Sequence, residues 1–170
     1  MDDLLTSRLV LHPLTVEEAA RLVGGTPGPE DHWADGFPTE GDRDGARMYA
    51  KASAAGEAPP GPFVCYRIDS RRDGAAIGTI GFYGPPDEDG RVVVGYGLVP
   101  PSWGNGYATE ALRELVDLCR GQRSVRAIDA DTDHDNHASQ RVLAKCGFRI
   151  VRQDRDLIYY ELVFDRAEER

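Results

Sequence analysis

Strand-like and helix-like segments follow one another along this chain in the order β-α-α-β-β-β-α-β-α-β-β. That order predicts an α+β domain with one mixed, mostly antiparallel sheet of six to seven strands, flanked by about four helices. Three observations carry the prediction. β-Branched and alternating runs recur, separated by turns rich in Gly, Pro and Asp. An apolar strand-like run, residues 92–99, leads into two closely spaced glycines, Gly104 and Gly106, and a helix-forming stretch follows at once. The 170 residues suffice for one domain, residues 1–170, with a single substantial core.

Taken in order, residues 8–11 read as the first strand. Thr15, with Glu18 three residues on, forms a capping box for a helix to about Val23. Residues 24–44 are rich in Gly, Pro and acids, yet hold Trp33 and Phe37. These two aromatics either wall an acceptor site or anchor a long loop. A second helix is expected over residues 45–55, followed by a Pro/Gly linker at 58–62. Residues 63–68 and 75–83 read as strands paired across 69–74. The sequence GPPDEDG at 84–90 has hairpin-loop chemistry and leads into a strand over 91–99. Pro100 and Pro101 end that strand, because proline has no N–H for the ladder.

A helix is then predicted over residues 106–120, with Ala108, Ala111, Leu112, Leu115, Val116 and Leu118 as its apolar stripe. Residues 125–132 form the next strand. Asn136 is a good N-cap for a short helix that ends with Gly147 at the C′ position. Residues 148–152 and 157–164 close the chain as a hairpin, and residues 165–170 are an expected solvated end.

Composition narrows the function. A net charge of −9 argues against a nucleic-acid or anionic-membrane partner, either of which favours a basic face. No apolar run reaches the eighteen residues of a membrane span, and Met1-Asp2-Asp3 lacks a basic signal-peptide start. Cys65, Cys119 and Cys146 are odd in number and widely spaced, the pattern of reduced thiols and not of a disulfide framework or a zinc site. A cytoplasmic monomer or homodimer without a metal is expected.

The junction at Gly104–Ala108 carries chemistry. A strand running through glycines into a helix leaves backbone N–H groups unpaired at a positive helix end, and the glycines let a phosphate approach without meeting a Cβ. The local chemistry is diphosphate binding. It is neither a P-loop, since no Lys follows the glycines, nor a dinucleotide fingerprint, since Thr109 stands where the third glycine belongs.

The stretch Trp103-Gly104-Asn105-Gly106-Tyr107-Ala108 does fit [Q/R]-x-x-G-x-[G/A], and resembles the pyrophosphate loop of the GCN5-related N-acetyltransferases (GNAT). Asn136-His137-Ala138-Ser139-Gln140-Arg141-Val142-Leu143-Ala144-Lys145-Cys146-Gly147-Phe148 is similar to the N-x-x-S-x-x-V-L-x-K-x-G-F segment of the same superfamily. Thr6-Ser7-Arg8-Leu9-Val10-Leu11-His12-Pro13-Leu14 resembles the opening strand of its ribosomal-protein N-terminal acetyltransferase branch. Ile77–Phe82 and Val94-Gly95-Tyr96 resemble that branch's central hairpin.

The resemblance implies an acetyl-CoA co-substrate, no metal, and an amine acceptor that is a protein N-terminus or a small cationic molecule. It also implies that the fourth and fifth predicted strands, 91–99 and 125–132, splay apart to admit the coenzyme from one side and the acceptor from the other. Gly104 through Ala108 would hold the diphosphate, with Trp103 opening the loop. Thr109 either adds its hydroxyl or bonds its own backbone. Gly97, Leu98 and Val99 would pair with the pantetheine amides, one N–H polarising the thioester carbonyl. Asn136 would bond the pantetheine arm or cap its helix.

Three positions depart from the superfamily pattern. Trp103 replaces the usual Gln or Arg. Leu143 stands where many members carry the tyrosine that protonates the thiolate, which leaves Ser139, one helical turn earlier, as the hydroxyl for that role; the other reading is a buried serine bonded to its i−4 carbonyl. Val93 replaces a frequent glutamate, so an obvious base is missing.

The fifth strand offers a substitute. Asp129, Asp131 and Asp133 share one face by period-two spacing, and Asp131 is the candidate base; the other reading is a solvated sheet face. His134 and His137 flank Asn136 as further proton-relay candidates, and Glu110 reads as a surface residue favourable to the helix dipole. Together, Val93 and Leu143 also leave open a non-catalytic acyl-CoA-binding protein of the same fold.

Overall fold

The computed structural model describes residues 1–57 and 61–166. The linker expected at 58–62 and the chain end expected at 165–170 therefore lie partly outside the described residues. Eight strands form one sheet in the order β1-β2-β3-β4-β5-β6-β8-β7. They are β1 (Leu4–Leu5), β2 (Leu9–Pro13), β3 (Cys65–Ser70), β4 (Ala76–Phe82), β5 (Arg91–Leu98), β6 (Ala127–Asp133), β7 (Arg149–Gln153) and β8 (Leu157–Val163). The helices are α1 (Val16–Gly24), α2 (Glu40–Ala54), α3 (Tyr107–Gly121) and α4 (His137–Lys145). The sheet has one strand more than the upper expected count. β1 has two residues, too few to show a periodicity.

Helix α1 starts at the expected capping box, Thr15 accepting from Glu18 N–H, and ends at Gly25 in the left-handed region. α2 begins five residues before its expected start. Thr39 and Asp42 form a second capping box there, with Asp in place of the usual Glu or Gln. Gly41 and Gly45 lower the helix propensity of this stretch, which hides its start in the sequence. Asp42 is buried, and its other oxygen accepts from Thr79 Oγ1 at 2.6 Å, fixing α2 to β4.

Alternation along the strands builds the core. Leu9 and Leu11, Tyr66 and Ile68, Ile80, Val92 and Val94, and Ile128 and Ala130 are buried, and Leu112, Leu115 and Leu143 from α3 and α4 join the same cluster. Helix α2 packs on β3, β4 and β5, on the face that Thr79 presents. α4 lies on the opposite face, where Tyr96 meets Ser139.

All ladders are antiparallel except β5 with β6, and this pair positions the site. Its register holds for Arg91↔Ala127, Val92↔Ile128 and Val93↔Asp129 and then stops. β5 continues against β4 as far as Leu98, and β6 against β8 as far as Asp133. The two strands therefore diverge beyond Val93 and Asp129. Arg91 holds the joined end, donating to Asp129 at 2.8 and 2.5 Å and to Glu161 at 2.7 Å. Glu161 also accepts from Arg149 at 2.8 Å, so the network ties β5, β6, β8 and β7 together.

Candidate active site

A cleft of about 960 Å³ opens where β5 and β6 part. It is lined by the end of β5, the loop before α3, the turn after β6 and the first turns of α4, and Arg141, Lys145 and Arg155 share its walls with Asp133, Asp135 and Asp156. Gly104 (φ 77°) and Gly106 (φ 79°) are both left-handed, which is why glycine is required there. A Cβ on Gly104 would meet no atom within 4 Å. Among the described residues, no acceptor pairs with the backbone N–H groups of residues 104–109; the first paired one is Glu110, which donates to Gly106 O at 3.0 Å. Gly106 caps α3 without a side-chain hydrogen bond. The junction thus presents a row of free donors at a helix N-terminus, which fits a diphosphate.

Arg8 braces this loop from the far end of the chain. Its Nη1 donates to Asn105 O at 2.8 Å, its guanidinium lies 4.5 Å from the Tyr107 ring centre, and its Nε donates to Glu110 at 2.7 Å. Glu110 also accepts from Thr6 Oγ1 at 2.6 Å and Arg8 N–H at 2.8 Å. Burial opposes its ionisation, but these bonds and the Arg8 charge hold its carboxyl below the usual range. The expected surface role for Glu110 is therefore corrected: it anchors the N-terminal segment to α3. Sequence reading missed this because the partners are about a hundred residues apart.

The end of β5 differs from expectation at Val99 and at Gly97, whose register opposite Thr79 turns its peptide groups to β4. Val99 N–H donates to Ile77 O at 2.8 Å and Val99 is fully buried, so it is withdrawn from the cleft. Tyr83 N–H likewise donates to Val93 O at 3.0 Å. Between these bonds the antiparallel alternation points the peptide groups of Val94, Tyr96 and Leu98 toward the splayed side. Gly97 and Leu98 line the cleft. Trp103 is exposed, and its indole N–H donates to Leu98 O at 2.8 Å, so it forms cleft wall and offers no donor of its own. Tyr107, Ala108 and Thr109 line the cleft from the first turn of α3.

Asn136 fills the capping one of its two expected roles. Its Oδ1 caps α4 by accepting from Ser139 N–H at 3.1 Å, and the residue also lines the cleft. The Ser139 hydroxyl pairs with the Tyr96 hydroxyl at 2.9 Å and not with its i−4 carbonyl. Leu143 is fully buried in the core. His134 lines the cleft and bonds Asp154 O at 2.8 Å, whereas His137 is outside the lining.

A second cavity of about 670 Å³ lies on the α2 face, lined in part by Met48, Tyr49, Phe63, Tyr83 and Gly95. Tyr83 closes on Gly95, at a point where any Cβ would strike the phenol oxygen. Tyr96 and Gly97 line both cavities, so the two meet at the splay. Trp33 and Phe37 line neither; they stack edge-to-face with ring centres 5.5 Å apart, beside a bridge from Trp33 to Ala76.

Of the acids on β6, Asp129 is paired with Arg91, Asp133 lines the first cleft, and Asp131 is exposed opposite Tyr159. Asp131 lines neither cavity; burial and the Asp131 charge push the Tyr83 phenol up. Cys65 is pushed up to about 12 by burial and by Asp42, and Cys119 to about 12 by burial, so neither carries an activated thiolate. Among the described residues no group of three His, Cys, Asp or Glu is placed to hold a metal, and no helix is long and apolar enough to cross a membrane.

A sheet parted between two parallel strands, with free amide donors at one mouth and a second cavity behind, has the layout that suits a group-transfer domain with a diphosphate-bearing ligand. Residues 8–149 match the acetyltransferase (GNAT) domain model, and the chain belongs to that family. It is 28% identical over 160 residues to the uncharacterized N-acetyltransferase p20 of Bacillus licheniformis, covering 88% of this chain and 83% of that one. It is 33% identical over 93 residues to the uncharacterized N-acetyltransferase YoaA of Bacillus subtilis, a match spanning 53% of this chain and only about half (52%) of the relative. The fold is shared with RimL, a ribosomal L7/L12 α-N-protein acetyltransferase solved with coenzyme A (TM-score 0.69, 16% identity, 96% and 99% of the two chains). It is also shared with the ribosomal-protein-S5-alanine acetyltransferase of Vibrio fischeri (TM-score 0.68, 16% identity, 97% and 98%).

Proposed function

We propose that the protein moves an acetyl group from acetyl-CoA to a primary amine, by direct attack of the neutral amine within a ternary complex. The observation that carries this reading is the meeting of two cavities from opposite faces at Tyr96 and Gly97. One offers diphosphate donors and an open strand edge, and the other offers room for a nucleophile in line with the thioester. RimL was solved with coenzyme A and the microcin self-immunity acetyltransferase MccE with acetyl-CoA and AMP, which supports the choice of donor.

In this reading residues 104–109 hold the diphosphate, and Gly97, Leu98 and Asn136 receive the pantetheine arm. The outward peptide N–H groups of β5 polarise the thioester carbonyl. Asp131 takes the amine proton, and Ser139 protonates the departing thiolate. The high thiol pKa values favour direct transfer over a cysteine-bound intermediate. For the acceptor, the walls of Met48, Tyr49, Phe63 and Tyr83 suit an amine on a compact apolar body, either a chain terminus or a small molecule.

The test is calorimetric titration with acetyl-CoA, followed by thiol release with spermidine, phenethylamine, and hexapeptides beginning with Ala or Ser. Binding with release on one acceptor class supports the enzyme and names the class. Binding without release on any of them favours the non-catalytic acyl-CoA-binding reading, and no binding rejects the assignment of Gly104–Ala108.

A further inference from the structure

We propose that Tyr96 is a positioning residue for acyl transfer: its hydroxyl donates to Ser139 Oγ, aims the serine hydrogen into the coenzyme cleft and supplies the proton that serine gives up. This rests on the acetyl-transfer reading above and goes beyond it by giving a chemical role to a residue that the sequence reading named only as part of the central hairpin.

The geometry is specific. Tyr96 lies on the diverging part of β5, and its hydroxyl is 2.9 Å from Ser139 Oγ and 3.4 Å from Ser139 O. The backbone of Ser139 is fixed from the other side by the bond from its N–H to Asn136 Oδ1 at 3.1 Å. Among the described residues the serine hydroxyl has no second side-chain or carbonyl partner. Either oxygen could donate, and the chemistry decides between them. A phenol is a stronger acid than an alkanol and a weaker acceptor, so the lower-energy arrangement has tyrosine donating and serine accepting. Serine then has one hydrogen left, with no protein acceptor for it, facing a cleft that both residues line.

Burial pushes the Tyr96 phenol up to about 12 against the opposing effect of the Ser139 bond, so it keeps its proton throughout the working range. As the tetrahedral carbon releases the thiolate, the C–S bond breaks and its electron pair stays on sulfur. Sulfur takes the Ser139 hydrogen, Ser139 Oγ takes the Tyr96 hydrogen, and the phenolate is reprotonated through solvent by the proton the amine has lost. One proton leaves nitrogen and one arrives on sulfur. The tyrosine that many GNAT members place on the helix is absent here, since Leu143 is core. Tyr96 brings a phenol to α4 from the strand.

The test is a double-mutant cycle on Tyr96→Phe and Ser139→Ala, with the amine giving fastest thiol release. Phenylalanine keeps the ring that packs at the splay and removes the hydroxyl alone. Ser139→Ala is expected to lower kcat about 100-fold and Tyr96→Phe at least tenfold. The double variant should fall no further than Ser139→Ala, and the affinity for desulfo-CoA by calorimetry should stay within about twofold in all three. Undiminished kcat in Tyr96→Phe, or losses that multiply in the double variant, overturns the assignment. A rise in the Kd for desulfo-CoA that matches the loss of rate reduces Tyr96 to packing and overturns it as well. Failure of the unaltered protein to release thiol with any amine rejects the acetyl-transfer reading, and this assignment with it.

Discussion

At the scale of single residues, the clearest demand is at Gly106. Its φ of 79° is a conformation that costs an L-residue about 1–2 kcal/mol, and its Cβ would project beside the Arg8 guanidinium at 3.5 Å. Gly106→Ala should therefore weaken acetyl-CoA binding roughly tenfold in a calorimetric titration, either through strain or by tilting the first N–H groups of α3. Gly121→Ala, at the other end of the same helix, is the matched control. A Cβ there meets nothing within 4 Å and the backbone is helical, so affinity should be unchanged and Tm should hold or rise. Asp131 makes a different demand, since it is assigned the amine proton and not a ligand contact. Asp131→Asn should lower kcat by about 100-fold with coenzyme affinity intact, measured by thiol release at saturating acetyl-CoA. An unchanged kcat would pass the role of base to water. The glycines were legible in the sequence because their constraint is local. Tyr96 was not, because a tyrosine in a strand reads as sheet packing until α4 is seen to bring Ser139 against it.

At the scale of elements, the loop and helix that form the anion site are held by a segment far away in sequence. Glu110 accepts three hydrogen bonds from Thr6 and Arg8, and Arg8 passes the restraint on to Asn105 O. Glu110→Ala removes all three and should cost on the order of 1–3 kcal/mol, read as a lower Tm. Arg8→Ala leaves the Thr6 bond in place but frees the loop, so it should weaken coenzyme binding more than it lowers Tm. The exposed pair Arg120–Asp117 on the same helix is the control, and Asp117→Ala should change neither quantity measurably. Capping boxes, the two prolines after β5 and the glycine-ended helices made most elements readable, because each is a short-range signal. α2 shows the limit: its true start depends on Asp42, whose burial against Thr79 is a tertiary fact. The splay shows the same limit. It was implied by family resemblance, whereas the residue at which pairing stops, Val93 against Asp129, depends on the Arg91 network that closes only in the folded sheet.

At the scale of the whole molecule, the acidic balance and the ion-pair networks pull in opposite directions as pH falls. The net charge of −9 gives a diffuse self-repulsion that protonation relieves. Against it stand carboxylates held below their ordinary range. For Glu18 and Asp31 burial is outweighed by hydrogen bonds and by the Arg67 charge, with His12 also helping Glu18 and Arg21 helping Asp31. Glu161 is lowered chiefly by its bonds from Arg149 and Arg91. A depressed folded pKa means that the unfolded chain binds more protons in that range, so stability is full above the unfolded value of roughly 4 and is lost as pH falls through the lower folded values. Glu114, raised by burial and Asp117, works the other way but is one group against several. The local pairs should prevail, because they act at 2.7–3.0 Å, as in Arg21–Asp31 and His12–Glu18, whereas dispersed surface charges are screened over about 8 Å at physiological ionic strength. Thermal melts from pH 7 to pH 3 should therefore show Tm steady to about pH 5 and falling below it. Added salt should leave the fall in place, and Glu161→Gln should make it shallower while lowering Tm at pH 7. A Tm that rises on acidification would instead make the net charge the governing term, and would reduce the Arg91 network from the fastening of the splayed sheet to surface decoration.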